Sequence, residues 1–166
     1  MDFSKSGING VIHHLNISSR KYTVKLASSR EQVEEALRLR FDVFNIELGE
    51  GLDRSYDSQM DEDQYDDQCH HLLVLDNESG HVIGTYRMQT SEMAESGCGF
   101  YTQGEFDISE FPDKVIKNAV ELGRACIHRD HRNGRVLFLL WRGLAEYIVL
   151  TGKQYLFGCC SLTSQD

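Results

Sequence analysis

The residues best suited to chemistry lie between Glu121 and Arg135, in the run Glu-Leu-Gly-Arg-Ala-Cys-Ile-His-Arg-Asp-His-Arg-Asn-Gly-Arg. A carboxylate opens the run, four arginines follow (Arg124, Arg129, Arg132 and Arg135), and the apolar stretch Val136–Leu150 comes next. This pattern predicts a strand, a basic turn and a buried helix. A helix starting near Arg135 or Val136 turns unpaired N–H groups and its positive dipole end toward the turn, and guanidinium forks take phosphate oxygens in pairs. The turn therefore suits a pyrophosphate or phosphopantetheine group. The plainer reading is a solvated basic turn joining a core strand to a core helix, since the glycine spacing of the dinucleotide fingerprint and the Lys-Ser/Thr ending of the phosphate loop are missing. Glu121 is suited to accept a proton directly or through water, because a partly desolvated carboxylate is held more weakly in its charged form. Its structural alternative is an ion pair with Arg124 or Arg87.

Three elements must position these groups. The segment after Tyr22–Ala27, a strand by its alternation, opens with Ser28-Ser-Arg-Glu31, which reads as a capping box. The helix that follows buries Val33, Ala36, Leu37, Phe41 and Phe44, and Arg40 interrupts this apolar face. A buried arginine needs carboxylate partners. The loop Asp53–Asp67 supplies seven carboxylates and one arginine, most of which read as a solvated face. Strands are expected at His71–Leu75, Val82–Thr90, Ala119–His128 and Gln154–Leu162, with a hairpin turn at Asp76–Gly80. Residues 91–118 read as an irregular insertion with a short helix near Phe106–Phe111. Glu121 and Arg124 are three residues apart and would face opposite ways on a regular strand, so a β-bulge at Gly123 is expected to bring both to one pocket.

The composition fits a mixed α/β domain over residues 22–166, preceded by a loosely held segment 1–21. Of the 166 residues 40% are hydrophobic, one is proline, and no run is long and apolar enough to span a bilayer. No secretory signal is recognisable at the start, and five cysteines without a C-x-x-C pair suggest reduced thiols, so a cytoplasmic chain is expected. Cys69-His70-His71 is the best local metal candidate, but alternation on a strand separates the side chains and no metal is expected. The net charge of −9 conceals a division. Residues 1–113 carry nine basic and 22 acidic side chains, residues 114–165 eight and three. Such a chain should repel nucleic acid, while its basic part can receive a compact anionic ligand or an acidic carrier protein.

The order of elements resembles the GNAT fold of acyl-CoA N-acyltransferases: strand, helix, acidic loop, strand pair, insertion, strand, phosphate-cradling turn, helix, strand. The resemblance is closer to the acyl-homoserine-lactone synthases and to the ornithine-lipid or N-acyl amino acid synthases, also called hemolysin-like proteins. It rests on Leu39-Arg-Phe-Asp-Val-Phe44 with Glu47, on Asp63-Gln-Tyr-Asp66, on Gly84-Thr-Tyr-Arg87, on Phe106 and on Glu121-Leu-Gly-Arg124. The Leu140-Trp141 helix and the Gly158-Cys-Cys-Ser-Leu162 strand favour the ornithine-lipid type. These motifs run in order through residues 22–163.

The resemblance implies transfer of a fatty acyl group from the phosphopantetheine thioester of acyl carrier protein to the α-amine of an amino acid such as ornithine. Glu121 would be the catalytic residue. Asp63 and Asp66 would hold the acceptor's cationic amine or order their loop against Arg40 and Arg87, so that Arg40, Asp63, Asp66, Arg87, Glu121 and Arg124 form one network. Phe106 and Trp141 would line the substrate cleft, beside Phe138 and Phe157. The pantetheine amides would pair with the backbone of Ala125, Cys126, Ile127 and His128, and the phosphate would meet Arg129, Arg132, Asn133, Gly134 and Arg135. No tightly bound cofactor is implied; the donor is acyl carrier protein or acyl-CoA. Peripheral contact with a membrane that accepts a lipid product, and a homo-oligomer, are compatible with it.

Two departures bear on the donor and the tail. The family's turn places small residues where Arg135 and Leu137 stand here, which exchanges close backbone approach for side-chain charge and suits a carrier-protein phosphate better than free coenzyme A. The family also adds a helix and strands after the fifth strand, so the domain is expected to be C-terminally incomplete. An acetyl-CoA-dependent small-molecule N-acetyltransferase and a non-catalytic acyl-carrier-binding module stand as alternatives.

Overall fold

A computed structural model describes residues 14–160. Its six strands form one sheet in chain order: β1 (Asn16–Ser18), β2 (Tyr22–Leu26), β3 (His70–Asp76), β4 (Val82–Thr90), β5 (Ala119–Ile127) and β6 (Tyr155–Phe157). Neighbours are antiparallel from β1 to β5, and β6 lies parallel to β5. A parallel neighbour requires a long crossover. That crossover is α6 (Arg135–Thr151).

Side chains alternate across the sheet, and each face buries its apolar set against one helix. On one face Val24, Leu72, Val74, Met88 and Val120 pack against Val136, Leu140, Leu144 and Tyr147 of α6. On the other, Leu73, Val82 and Cys126 pack against Ala36 and Leu39 of α1 (Arg30–Phe41). Ser29 caps α1, accepting from the Gln32 N–H at 3.4 Å, while Gln32 Oε1 accepts from the Ser28 N–H at 2.9 Å. The cap is thus Ser29, one residue later than the expected Ser28, because Ser29 keeps the extended conformation a cap requires, and the return bond from Gln32 reaches the residue before it. The last turn of α1 widens into a π-helical segment, Asp42–Glu47.

Other differences from expectation have local causes. Residues 16–18 form β1 by pairing with β2, within a segment expected to be loose; residues 1–13 lie outside the described residues. The acidic loop contains a single turn, α2 (Ser55–Ser58). The insertion holds three short helices, α3 (Ser91–Ser96), α4 (Thr102–Glu105) and α5 (Asp113–Lys117), whereas Phe106–Phe111 is not helical. Pro112 explains the shift: it disfavours helix in the residues before it and stands as N-cap of α5. β6 ends at Phe157 rather than continuing through 162, of which residues 161 and 162 lie outside the described residues.

Candidate active site

The site begins where two parallel strands part. β5 and β6 pair over Ala119–Glu121 and Tyr155–Phe157, and the strand pairing ends after Phe157. A Cβ at Gly158 would lie 2.1 Å from the carbonyl oxygen of Leu122, so only glycine permits this close approach where the pairing ends. From Leu122 to Ile127 the outer edge of β5 has no strand partner among the described residues. A strand edge is a row of unused N–H and C=O groups. Beside it opens a cleft of about 400 Å³ lined by Glu121–Ala125 of β5, by Arg87 and Gln89 of β4, and by Phe44, Tyr101 and Cys159. An adjoining cavity of about 480 Å³ shares Phe44, Leu48, Tyr86 and Ala125 and runs past Cys126 and Ile127 to Arg132, Gly134 and Trp141. One groove therefore leads from an interior carboxylate to the start of α6.

Glu121 is 6% exposed at the inner end of this groove. Oε2 accepts from Gln89 Nε2 at 2.5 Å and from the Tyr101 N–H at 3.0 Å, and Oε1 accepts from the Thr102 N–H at 2.7 Å. The carboxylate thus receives N–H groups from the first turn of α4 and from a neighbouring strand. Contrary to the expected network, it has no ion pair with Arg87 or Arg124. A carboxylate has about four acceptor positions, so one remains for a water or an amine in the cleft.

The arginines are engaged elsewhere. Arg40, on the buried face of α1, gives Nη1 and Nη2 to Asp66 at 2.6 and 3.2 Å and Nε to Asp61 at 2.9 Å. Arg87 Nη1 lies 2.6 Å from Asp63 and 3.0 Å from Asp66, and Arg124 Nη2 lies 2.8 Å from Asp61. Three guanidinium groups and three carboxylates cancel in charge here. Burial alone would raise the Asp66 carboxyl; Arg40 and Arg87 overcome it and hold the carboxyl well below the usual range. Burial pulls His71 down to about 4 despite Asp66 nearby, so a neutral imidazole places Nε2 3.1 Å from the Asp66 carbonyl oxygen and ties the loop to β3. Asp61, which completes this network, is fully buried but looks no different in sequence from six other carboxylates of its loop.

The bulge expected at Gly123 lies one residue later. Arg87 pairs with Gly123 and Thr85 with Cys126, so Arg124 and Ala125 both stand opposite Tyr86. Arg124 itself takes the left-handed conformation, φ 50°, at a cost on the order of 1–2 kcal/mol for a non-glycine residue. This turns its side chain to the face of Glu121, where its guanidinium sits 5.2 Å over the Phe44 ring. The strained backbone is held by the ion pair with Asp61 and this stacking contact.

The basic turn is divided. Gly134 and Arg132 line the groove, but Arg132 is engaged, with both Nη atoms on Glu47 at 2.6 and 2.7 Å and Nε on the Ile127 carbonyl at 3.0 Å. Asn133 Oδ1 accepts from the Arg135 N–H at 3.1 Å. The Arg135 side chain lines a different hollow with Arg20, Lys21 and Phe138, while Arg129 is exposed on a 3-10 turn after His128. A helix sends consecutive side chains about 100° apart, which separates Arg135 from the groove that Leu137 and Trp141 line. Trp141, 52% exposed, flanks the outer groove; Phe106, 64% exposed, lies outside it in the insertion. Sequence reasoning passed over Asp61, Gln89 and the backbone of Tyr101 and Thr102. Only Gln89 had a readable signal, since it lies two residues after Arg87 and so shares its strand face.

An antiparallel sheet that ends in a parted parallel pair, with open strand backbone leading to a helix N-terminus, defines an acyltransferase-type fold. The acetyltransferase (GNAT) domain family matches residues 39–142. An L-ornithine N(alpha)-acyltransferase of Brucella abortus (strain 2308) is 36% identical over 145 residues, covering 83% of this chain and 52% of that protein. One from Rhodobacter capsulatus is 30% identical over 151 residues, covering 87% and 58%. The chain belongs to the GNAT acyltransferase family, and it spans about half the length of the curated relatives it matches. Among solved structures, the AHL synthase LasI superposes with a TM-score of 0.61 at 20% identity, covering 82% of this chain and 71% of that one. The CoA-dependent acyl-homoserine lactone synthase BjaI also gives 0.61, at 21% identity, covering 82% and 65%. Both have the same fold.

Proposed function

We propose that this chain carries the acyl-transfer site of an N-acyltransferase that moves a fatty acyl group from the thioester of acyl carrier protein to the α-amine of an amino acid, with ornithine the foremost candidate. The parting of β5 from β6 with Glu121 at its closed end carries this reading. Thioester aminolysis needs a neutral amine, an acceptor for its proton and donors for the developing oxyanion. The nitrogen attacks the carbonyl carbon, the C–S bond breaks as the amide forms, and the departing sulfur takes the proton that the nitrogen releases by way of Glu121 or water. The open edge of β5 beyond Leu122 offers N–H groups both to the oxyanion and to the pantetheine amides. Buried Cys126 has its thiol pushed up to about 12 by desolvation, which suits a packing residue rather than a nucleophile.

The phosphate end of the donor would meet the N-terminus of α6 and Arg132, whose partner Glu47 must yield or share it. Intact protein incubated with palmitoyl carrier protein and ornithine should give N-palmitoyl ornithine by mass spectrometry. Acetyl transfer from acetyl-CoA to a small amine, with no long-chain product, would point instead to an acetyltransferase. Carrier binding without turnover of either donor would point to a binding module.

A further inference from the structure

The cleft is lined by two charges that have no counter-ion among the described residues, and these describe a ligand. Its charged lining residues are Glu50, Arg87, Glu121 and Arg124. Arg87 and Arg124 belong to the neutral set of three arginines and three aspartates. Glu121 has only N–H donors, and Glu50 has no ion pair among the described residues. Two carboxylates therefore face the cleft without a cation of their own.

Arg124 supplies the opposite need. Of its five N–H donors, only one on Nη2 meets an acceptor among the described residues, and its Nε is shut from solvent with no partner at all. The shut-in Nε is out of a ligand's reach, but the unused Nη donors are not, and an anionic group in the cleft can complete them. The strained left-handed backbone at Arg124 brings this group to the cleft face.

Glu50 is held in place by main chain. The π-helical segment ends with Leu48 N–H on the Val43 carbonyl at 3.0 Å, the chain reverses through Gly49 at φ 67°, and the Glu50 N–H returns to the Phe44 carbonyl at 2.8 Å. A side chain at position 49 would strain that reversal. π-helical insertions commonly re-aim residues at functional sites.

A molecule with two ammonium groups and one carboxylate satisfies all three: its α-amine at Glu121, its α-carboxylate on the free Arg124 donors, its second ammonium at Glu50. We infer that Glu50 is the specificity-determining residue for the acceptor and selects a diamino acid by its side-chain ammonium. This rests on the acyl-transfer reading above. Glu50 makes no contribution to the chemical step.

Intact wild-type and Glu50→Gln proteins would be compared with palmitoyl carrier protein as donor and with ornithine or norvaline as acceptor. Norvaline has the same carbon chain without the second amine. Wild type should favour ornithine, and Glu50→Gln should lower kcat/KM for ornithine about three- to tenfold through KM, as befits a partly exposed pair, and change norvaline by less than about twofold. Glu50→Lys should push selection further, below norvaline for ornithine. Equal losses for both acceptors, an unchanged ratio, or a wild type indifferent to the second amine would each overturn the assignment while leaving acyl transfer intact. A wild type that acylates neither amino acid would bring down the acyl-transfer reading itself. Melting temperatures guard against misfolding, and Glu50 is exposed, so both variants should melt as wild type does.

Discussion

The two halves of the β5 face that look toward α1 use charge in opposite ways. On α1, Arg40 is 1% exposed and each of its three guanidinium nitrogens donates to Asp61 or Asp66, with the side chain closed off from solvent. Along the outer edge of β5, Glu121 accepts three N–H groups of about four it can take, Arg124 has donors without an acceptor and the strand just beyond Leu122 has no strand partner, all among the described residues. Buried charges with every nitrogen or oxygen partnered hold a loop, whereas those with capacity unused beside a cleft are open to a ligand. Burial alone does not tell the two groups apart; unused hydrogen-bonding capacity does.

The sharpest test of this contrast is Glu121→Gln. Turnover per folded molecule should fall roughly 10²–10⁴-fold, since an amide cannot take the amine proton. The amide NH₂ must also face one of the three N–H donors, so stability should drop by about 1–3 kcal/mol. Near-normal turnover with that lowered melting temperature would make Glu121 an architectural cap of α4.

Arg40→Met should show the reverse pattern. Removing one partner leaves Asp61 and Asp66 buried with less compensation, which costs about 3–5 kcal/mol in denaturant unfolding. Activity per folded molecule should change little at saturating substrate. A variant as stable as wild type would mean the saturated network is dispensable.

Acid should separate the two kinds of group by pH. Burial pulls His70 and His71 down to about 4, so the unfolded chain binds protons that the native chain refuses below about pH 6.5. Stability should therefore be full above about pH 6.5 and decline as pH falls toward 4, by about 1.4 kcal/mol per pH unit for each histidine that titrates. The depressed Asp66 carboxyl adds its own loss only at still lower pH, below its unfolded value of about 4. Melting temperatures from pH 7 to 4.5 would show the slope, and His71→Gln should make it shallower.

The smallest effect is expected at the cysteines. Cys159 and Cys160 line the cleft, yet direct attack by an amine needs no acyl-enzyme. Replacing both by alanine should leave turnover within about threefold, and an acyl-cysteine trapped by mass spectrometry with ping-pong kinetics would contradict this.

Periodicity along the chain was enough to read most of the scaffold. Val82–Thr90 was legible to the residue, and α6 and β5 to within one residue at either end, because apolar spacing is a local property that packing then reinforces. Arg40 was legible as a buried cation for the same reason: it breaks an apolar stripe. The family motifs added Asp63, Asp66, Arg87 and Glu121. What tertiary structure alone decided was which charges meet. Glu121 finds N–H groups from a helix nineteen residues upstream instead of an arginine three residues away. Asp61 becomes the shared partner of Arg40 and Arg124 across separations of 21 and 63 residues. Arg124, not the adjacent glycine, adopts the left-handed backbone, since a stacking ring and a buried carboxylate hold it there. Such pairings depend on distances across the fold, where desolvation makes each buried charge seek the nearest complement in space.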